Sequence, residues 1–208
     1  MITRRQFGMG ALTTGAALAL GGGLRPAGAA TLGDDGLYNQ DWFVESFLEL
    51  SDDLAEAHAA GKHLVVMFEQ AGCPFCRQTH EVNLTREDYV PWLKENFTFV
   101  QLDLFGARET TDFDGEALEE RALGRKWLVN FTPTIVFFPA DPAAVAGKDG
   151  HSAEIARIQG YLPPFYFYHF FEWVRSGAHA EEGFQRYSNA KLEEMRAKGQ
   201  TRETWRRG

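Results

Sequence analysis

Both cysteines of the 208-residue chain, Cys73 and Cys76, lie in one short stretch, EQAGCPFCRQTHEVN, and only Pro74 and Phe75 separate them. Such a pair can form a redox-active disulfide, supply half of a metal site or act as a structural crosslink. A crosslink between residues three apart restricts the unfolded chain by only about 2 kcal/mol or less, so stability is a weak reason for the pair. A zinc site usually has four ligands, and the sequence has no second pair of cysteines. We therefore expect redox chemistry and no metal site.

The residues around the cysteines predict a strand followed by a helix. Residues 62–70, KHLVVMFEQ, form a short apolar run rich in strand-forming residues. Residues 74–82 are compatible with a helix, and Pro74 occupies a first-turn position where its missing N–H is not needed. Cys73 would then lie at the helix N-terminus, where free N–H groups stabilise a thiolate. The pattern predicts Cys73 as the attacking sulfur and Cys76, one turn later, as the resolving sulfur.

Residues 1–29 predict an export signal. Arg4 and Arg5 precede a run rich in glycine, alanine and leucine, residues 8–24, and the small residues that end at Ala29 suit cleavage by a signal peptidase. This is the pattern of a twin-arginine signal. The run is too short and too rich in glycine and alanine to span a membrane comfortably, so we expect no membrane anchor after cleavage. The mature protein is expected in the periplasm, where disulfides persist.

The charge of the chain narrows the class of its partners. The formal net charge is −8 at pH 7. Proteins that bind nucleic acids or dock on anionic membrane surfaces carry basic faces instead. We therefore expect protein partners and no nucleic acid.

A second pattern, NFTPTIVFF, lies about sixty residues after the cysteines. Pro133 directly precedes a predicted strand, residues 134–138, and such a proline marks a turn that enters a sheet. Together with the strand, CxxC motif and helix upstream, this arrangement resembles the thioredoxin superfamily. In that superfamily a cis-proline loop packs against the cysteine pair and presents backbone groups to a bound peptide. The resemblance implies that Pro133 is cis and that Thr132 lies beside the active sulfur.

The remaining patterns fit the same fold. Residues 96–104 predict a strand, residues 154–162 an edge strand, and residues 163–176 a closing helix whose aromatic run faces the core. Residues 115–129 predict an amphipathic helix, with inward candidates Leu118, Ala122 and Val129. We expect a monomeric or weakly associated α/β protein with the thioredoxin fold, a central mixed β-sheet flanked by helices.

The chain is expected to comprise three parts. Residues 1–29 form the signal, residues 30–176 the thioredoxin-like domain, and residues 177–208 a charged C-terminal helix or tail. The domain begins with an N-terminal extension that includes a helix near residues 44–60. An insertion rich in proline, alanine and glycine, residues 139–154, precedes the edge strand. The polar composition of the C-terminal part favours a solvated helix or a loose tail over a second domain.

Five stretches between residues 60 and 176 carry a more specific pattern: VVMFEQAGCPFCRQTHEVNL, FVQLDL, TDFDGEAL, TPTIVFF and GYLPP. Together they resemble the SoxW-type periplasmic thioredoxins of bacterial sulfur-oxidation systems. The resemblance implies a disulfide reductase without a prosthetic cofactor that reduces periplasmic thiol proteins, notably the cysteine of a sulfur-carrier subunit. A membrane thiol-electron donor would reduce it again. The resemblance also implies that Cys73 and Cys76 carry the redox role and that Thr132 and Pro133 form the substrate-facing loop.

The residues themselves leave two alternatives open. A protein with the same fold can instead oxidise or rearrange the thiols of its partners, as a Dsb-like oxidase or isomerase. The Pro74–Phe75 dipeptide does not decide the direction, because the redox poise depends on thiolate stability. A non-enzymatic module that binds a metal or senses redox state through the CxxC motif is the second alternative.

Glu69 is the candidate for proton transfer. It lies four residues before Cys73, whereas thioredoxins carry a buried proton-transfer aspartate six residues before, where this chain has Met67. Alternation along a strand puts residues 67 and 69 on one face, so Glu69 is placed to accept the proton of Cys76. The interpretation that we favour is a partly solvated glutamate at a strand end, because charged groups are seldom fully buried.

Three further residues near the cysteines invite a functional interpretation. Arg77 and His80 follow Cys76 on the predicted helix and either tune the thiolate electrostatically or lie on a solvated face. Phe75, between the cysteines, is expected to be exposed and to contact the substrate, because the active-site turn must reach a partner protein.

Overall fold

A computed structural model describes residues 30–207. The predicted export signal, residues 1–29, lies outside the described residues. The strands are β1 (Thr31–Leu32), β2 (Tyr38–Asn39), β3 (His63–Glu69), β4 (Phe97–Asp103), β5 (Glu109–Thr111), β6 (Ala117–Glu119), β7 (Thr134–Phe137) and β8 (Ala156–Gln159). The α-helices are α1 (Leu50–Ala59), α2 (Pro74–Gln78), α3 (Val90–Asn96), α4 (Glu120–Lys126), α5 (Gly150–Ala153), α6 (Pro164–Arg175) and α7 (Phe184–Ala197). A π-helical turn, Thr79–Asn83, continues α2.

A four-stranded mixed sheet with the order β4–β3–β7–β8 forms the centre of the fold. β3 runs parallel to β4, with His63 paired to Phe97, and antiparallel to β7, with Val66 opposite Val136. β8 pairs with β7 and is an edge strand, as predicted. All seven residues of β3 are buried. The predicted mixed sheet flanked by helices is therefore confirmed.

Side chains on the two faces of β3 pack into two separate hydrophobic clusters, because successive residues of a strand point to opposite faces. The first cluster joins one face of the sheet to α3, α6 and α7 and includes Val65, Met67, Phe99, Ile135, Phe137 and Phe171. The second joins the other face to α1 and α4 and includes Leu54, Leu64, Val66, Phe68, Val100 and Leu123. The aromatic run in α6 lies in the first cluster, as predicted. Among residues 30–207, no helix is both long and apolar enough to cross a membrane.

The first five residues of the helix predicted at residues 115–129 are instead part of a β-hairpin. β6 pairs antiparallel with β5, and the turn between them contains Gly115 at φ +84°, a conformation that favours glycine. α4 begins only at Glu120. Leu118 therefore packs against the second cluster from a strand, while Val129 is buried after α4 ends. The remaining inward candidate, Ala122, is half-buried in α4.

Both ends of the domain also differ from the sequence predictions. The N-terminal helix begins at Leu50 and not near residue 44. At the C-terminus, α7 is a helix as one alternative expected, but it is not simply solvated. Met195 of α7 and Trp205 beyond it are buried in the first cluster, where Trp205 packs on Phe165 and Tyr168. Apolar contacts therefore hold the polar C-terminal part against the domain.

Candidate active site

Cys73 and Cys76 form a disulfide with their Cα atoms 5.3 Å apart. β3 delivers the chain to a turn in which Gly72 has φ +72°, and Cys73 then caps the N-terminus of α2. The N–H of Cys76 donates to Sγ of Cys73 at 3.1 Å. Cys73 is 6% exposed and Cys76 only 1% exposed. The strand, turn and helix that the sequence predicts here are present, and Cys73 is the more accessible sulfur.

The loop before β7 lies against the disulfide, although it is about sixty residues away in sequence. The Oγ1 of Thr132 lies 3.3 Å from Sγ of Cys73, and the carbonyl oxygen of Thr132 lies 3.6 Å from the same sulfur. The Thr132–Pro133 bond is cis, as the sequence analysis expected, and Pro133 is buried. The carbonyl of Pro133 accepts from the N–H of Gly160 at 2.8 Å, which ties the loop to the end of β8.

Exposed apolar side chains lie between the two cysteines and in the loop before β7. Phe75 is 54% exposed, as predicted for a residue that contacts a partner. Phe131, 48% exposed, and Leu128, 56% exposed, precede Thr132 in the loop, and the sequence did not predict their exposure. Leu128 has φ +55°, an uncommon conformation for a leucine. The adjacency of Phe131 to the Thr132–Pro133 pair is the signal that would have found it.

Glu69 and His80 are both completely buried, so the solvated interpretations of these two residues are wrong. The Nε2 of His80 lies 3.0 Å from each carboxylate oxygen of Glu69. The amide of Gln101 in β4 also donates to this carboxylate. The physical reason for the burial is the N-terminal segment, residues 30–43, which packs over the pair and places the ring of Phe43 5.6 Å from the imidazole.

The hydrogen bonds around His80 assign its tautomer. The Nε2 of Gln40, in the N-terminal segment, donates to Nδ1 of His80 at 3.2 Å and to the His80 carbonyl at 3.3 Å. Because an amide N–H₂ can only donate, Nδ1 must be the acceptor and Nε2 must carry the hydrogen that points to Glu69. Nothing in the sequence near Gln40 indicates this contact.

Arg77 lies on the solvated face of α2, as one of its two interpretations expected. Its side chain is 60% exposed and its Nε donates to both oxygens of Glu81 at 3.0 Å.

Within the part of the chain that the structure describes, no three histidine, cysteine, aspartate or glutamate side chains are grouped as a metal ion would require.

Comparison with known proteins gives one family. The sequence profile of the thioredoxin-like domain matches residues 50–175. Similar solved structures include a thioredoxin-fold protein from Helicobacter pylori, with 19% identity over 64% of this chain and 81% of that chain, at a TM-score of 0.48. A thioredoxin from Thermus thermophilus has 25% identity over 65% of this chain and 91% of its own, at a TM-score of 0.47. A DsbH oxidoreductase has 16% identity over 71% and 87% of the two chains, at a TM-score of 0.37. No curated protein sequence gave a significant match.

Proposed function

Because the chain belongs to the thioredoxin-like domain family and joins Cys73 to Cys76 in a disulfide, it is a thiol-disulfide oxidoreductase, and we propose that it acts as a disulfide reductase in the periplasm. The observation that carries the oxidoreductase activity is the disulfide itself, set at the start of α2 and against the Thr132–Pro133 loop. Such a pair exchanges two electrons with a partner and needs no cofactor.

The proposed reaction begins with both cysteines reduced. The Cys73 thiolate attacks a partner disulfide, so a mixed disulfide forms and one partner sulfur leaves as a thiolate. Cys76 then loses its proton and attacks Sγ of Cys73, which releases the second partner sulfur and forms the Cys73–Cys76 disulfide. Two electrons pass to the partner. The greater exposure of Cys73 and the N–H that Cys76 directs at its sulfur support this order, because such a donor stabilises a thiolate.

Three side chains near the disulfide are proposed to contact the partner polypeptide: Phe75, Thr132 and Pro133. The contacts of Thr132 with Cys73 and the exposure of Phe75 support these roles. Glu69 is proposed to accept the proton of Cys76. Its complete burial and its place on the same strand as Met67, where thioredoxins carry their buried aspartate, support that role.

The direction of electron flow and the partners rest on sequence patterns. The stretches similar to SoxW-type thioredoxins support a reductase that serves periplasmic thiol proteins, among them a sulfur-carrier subunit, and that a membrane thiol-electron donor reduces. The twin-arginine pattern in residues 1–29 supports export to the periplasm. A periplasmic reductase needs such a donor, because the oxidising machinery of that compartment would otherwise keep the pair as a disulfide.

A redox titration of the purified protein against glutathione tests the direction. We expect a reduction potential nearer the value of about −270 mV of thioredoxin than that of about −120 mV of the strong oxidant DsbA. Thiol trapping in cells that grow on reduced sulfur compounds should find the pair reduced, and oxidised when the membrane donor is deleted. A strongly oxidising potential, with the pair oxidised in both strains, would replace the reductase by a Dsb-like oxidase.

The two cysteine variants form a matched test of the attack order. Cys76→Ser should accumulate mixed disulfides with partner proteins, because the resolving thiol is missing. Cys73→Ser should accumulate almost none, because its remaining sulfur is only 1% exposed. Non-reducing electrophoresis of cell extracts measures the amount of mixed disulfide that each variant accumulates. Equal trapping by the two variants would show that the assigned roles are wrong.

A further inference from the structure

His80 lies close to the resolving cysteine as well as to Glu69. Cys76 and His80 are four residues apart on the helix formed by α2 and its π-helical continuation, and both are buried. Residues at this spacing share a helix face, with Cβ atoms roughly 5–6 Å apart. The imidazole, whose Nε2 lies 3.0 Å from the Glu69 carboxylate, is therefore on the same side of the helix as Cys76.

No lysine or arginine side chain contacts the Glu69–His80 pair among residues 30–207. Among the described residues, Glu69 forms no ion pair with a lysine or an arginine. The pair is held by two neutral amides, Gln40 and Gln101. The other side chains that face it from neighbouring elements are Tyr38, with its ring 6.1 Å from the imidazole, and Phe43. Two guanidinium groups lie on neighbouring elements: that of Arg108 donates to the carbonyl of Gln101 at 3.1 Å, and that of Arg77 pairs with Glu81 on the exposed face of the helix.

The two amides also line a cavity of about 520 Å³ between the N-terminal segment and β4. Oε1 of Gln40 is buried and has no hydrogen-bond partner among the described residues. Buried polar atoms normally find a partner, and a polar cavity of this size has room for water. The charged side chains that line it are Asp35, Asp41, Glu45 and Arg108.

We propose that Gln40 and this cavity connect the buried Glu69–His80 pair to solvent, so that the N-terminal segment forms part of the path by which the Cys76 proton leaves the protein. The inference rests on the proposed function, since it concerns the second step of the same reaction. Gln40 acts as a positioning residue. It holds Nδ1 of His80 as an acceptor, so that Nε2 keeps its hydrogen bond to Glu69.

The proton balance of the step is simple. In the mixed disulfide, the Cys76 thiol gives its proton to the Glu69–His80 pair and becomes a thiolate. That thiolate attacks Sγ of Cys73, the bond from Cys73 to the partner breaks, and the partner sulfur leaves as a thiolate. The pair, which has gained one proton, returns it to water in the cavity. The partner thiolate takes a proton from solvent.

A single-turnover reaction with an aromatic disulfide that releases a coloured thiolate separates the two steps. The first equivalent of colour reports attack by Cys73, and the second reports attack by Cys76. We expect Glu69→Gln to slow the second phase by about 100-fold, in the range for loss of a general base, and to leave the first unchanged. Gln40→Met keeps a side chain of about the same size but removes the hydrogen-bond donors of the amide. It should slow the second phase several-fold and shift its pH profile, while the first phase keeps its rate.

Asp112→Asn is the matched control, because Asp112 is another completely buried carboxylate, bound to Nε1 of Trp127 and the N–H of Gly150, and neither it nor these partners line the cavity. It should leave both phases unchanged. A second phase in Gln40→Met with the wild-type rate and pH profile would overturn the inference, and so would equal slowing by a folded Asp112→Asn protein. If Glu69→Gln does not fold, Gln40→Met decides alone. A wild-type protein that releases only one equivalent of colour would overturn the proposed function itself, and the inference with it.

Discussion

Asp112 and Glu69 are two buried carboxylates whose partners are of opposite kinds. Asp112 accepts from Nε1 of Trp127 at 3.1 Å and from the backbone N–H of Gly150 at 2.9 Å. It also forms an ion pair of 2.8 Å with Lys126. Glu69, in contrast, is bound by His80 and by amide side chains.

The comparison shows that burial of a charge does not by itself indicate function. Fixed backbone donors and a lysine surround Asp112, and they tie the β5–β6 hairpin to the ends of α4 and α5. Glu69 instead faces an imidazole, a side chain that can accept or donate a proton. Asp112 therefore has the contacts of a structural anchor, and those of Glu69 agree with the proton-transfer role proposed for it.

The largest effect on stability is expected for Asp112→Asn. The substitution leaves Lys126 without its most buried partner and turns an amide toward N–H groups that need an acceptor. Breaking a buried pair in this way lowers the free energy of unfolding by about 3–5 kcal/mol. Urea unfolding measures the loss, and both phases of the single-turnover reaction should keep their rates. Loss of the second phase in a folded Asp112→Asn protein would contradict the division between the two carboxylates.

Lys126→Met should have a smaller effect of about 1–2 kcal/mol, because the N–H donors to Asp112 remain. Although partial burial opposes it, hydrogen bonds to Asp112, Asp114 and Glu116 raise the pKa of Lys126 above its ordinary value. A raised pKa stabilises the fold below the unfolded pKa, near 10.5, and this contribution is lost as the pH rises further.

The ion pair between Lys126 and Asp114 predicts a loss of stability at low pH. The hydrogen bond from Lys126 lowers the pKa of Asp114, so its contribution is present above its unfolded pKa of 3.8 and is lost as the pH falls below it. The stability difference between the wild type and Lys126→Met should therefore be greatest near neutral pH. Unfolding curves measured across the pH range check it, and a difference independent of pH would contradict it.

A smaller effect on stability than that of Asp112→Asn is expected for Glu69→Gln. The glutamine keeps an oxygen for Nε2 of His80, but its N–H₂ faces the donating amide of Gln101, and no lysine or arginine loses a partner. The free energy of unfolding should fall by about 1–3 kcal/mol. A loss as large as that of Asp112→Asn would show that the two carboxylates are both structural.

The sequence could predict the parts of the site that depend on local patterns. An apolar run, a glycine and a proline at a first-turn position specify a strand, a turn and a helix start. The place of Cys73 at the helix N-terminus follows from these three signals. The burial of α6 could be predicted because a helix with this many aromatic residues must cover most of them from water. The loop at Pro133 was predicted only through the resemblance to thioredoxins, since a proline before a strand is common.

Contacts that are distant in sequence were the parts that could not be predicted. Glu69 and His80 are buried because the segment at residues 30–43 covers them. No sequence pattern near either residue predicts that this segment packs there. The β5–β6 hairpin is a different case. Asp114 and Gly115 are a turn signal within the sequence TDFDGEAL, and the helical pattern after it obscured that signal.

Gln40 reaches His80 from forty positions earlier in the chain, outside the span that defines the family. The proposed proton path is therefore not contained in the CxxC motif. A graft of residues 62–83 into another thioredoxin-like scaffold would transplant the disulfide, its helix and its imidazole, but would leave the supporting amides of Gln40 and Gln101 behind. A chimera that also received residues 30–43 and β4 would carry both amides, so protein engineers who want the proposed path elsewhere must transfer three separate pieces of chain.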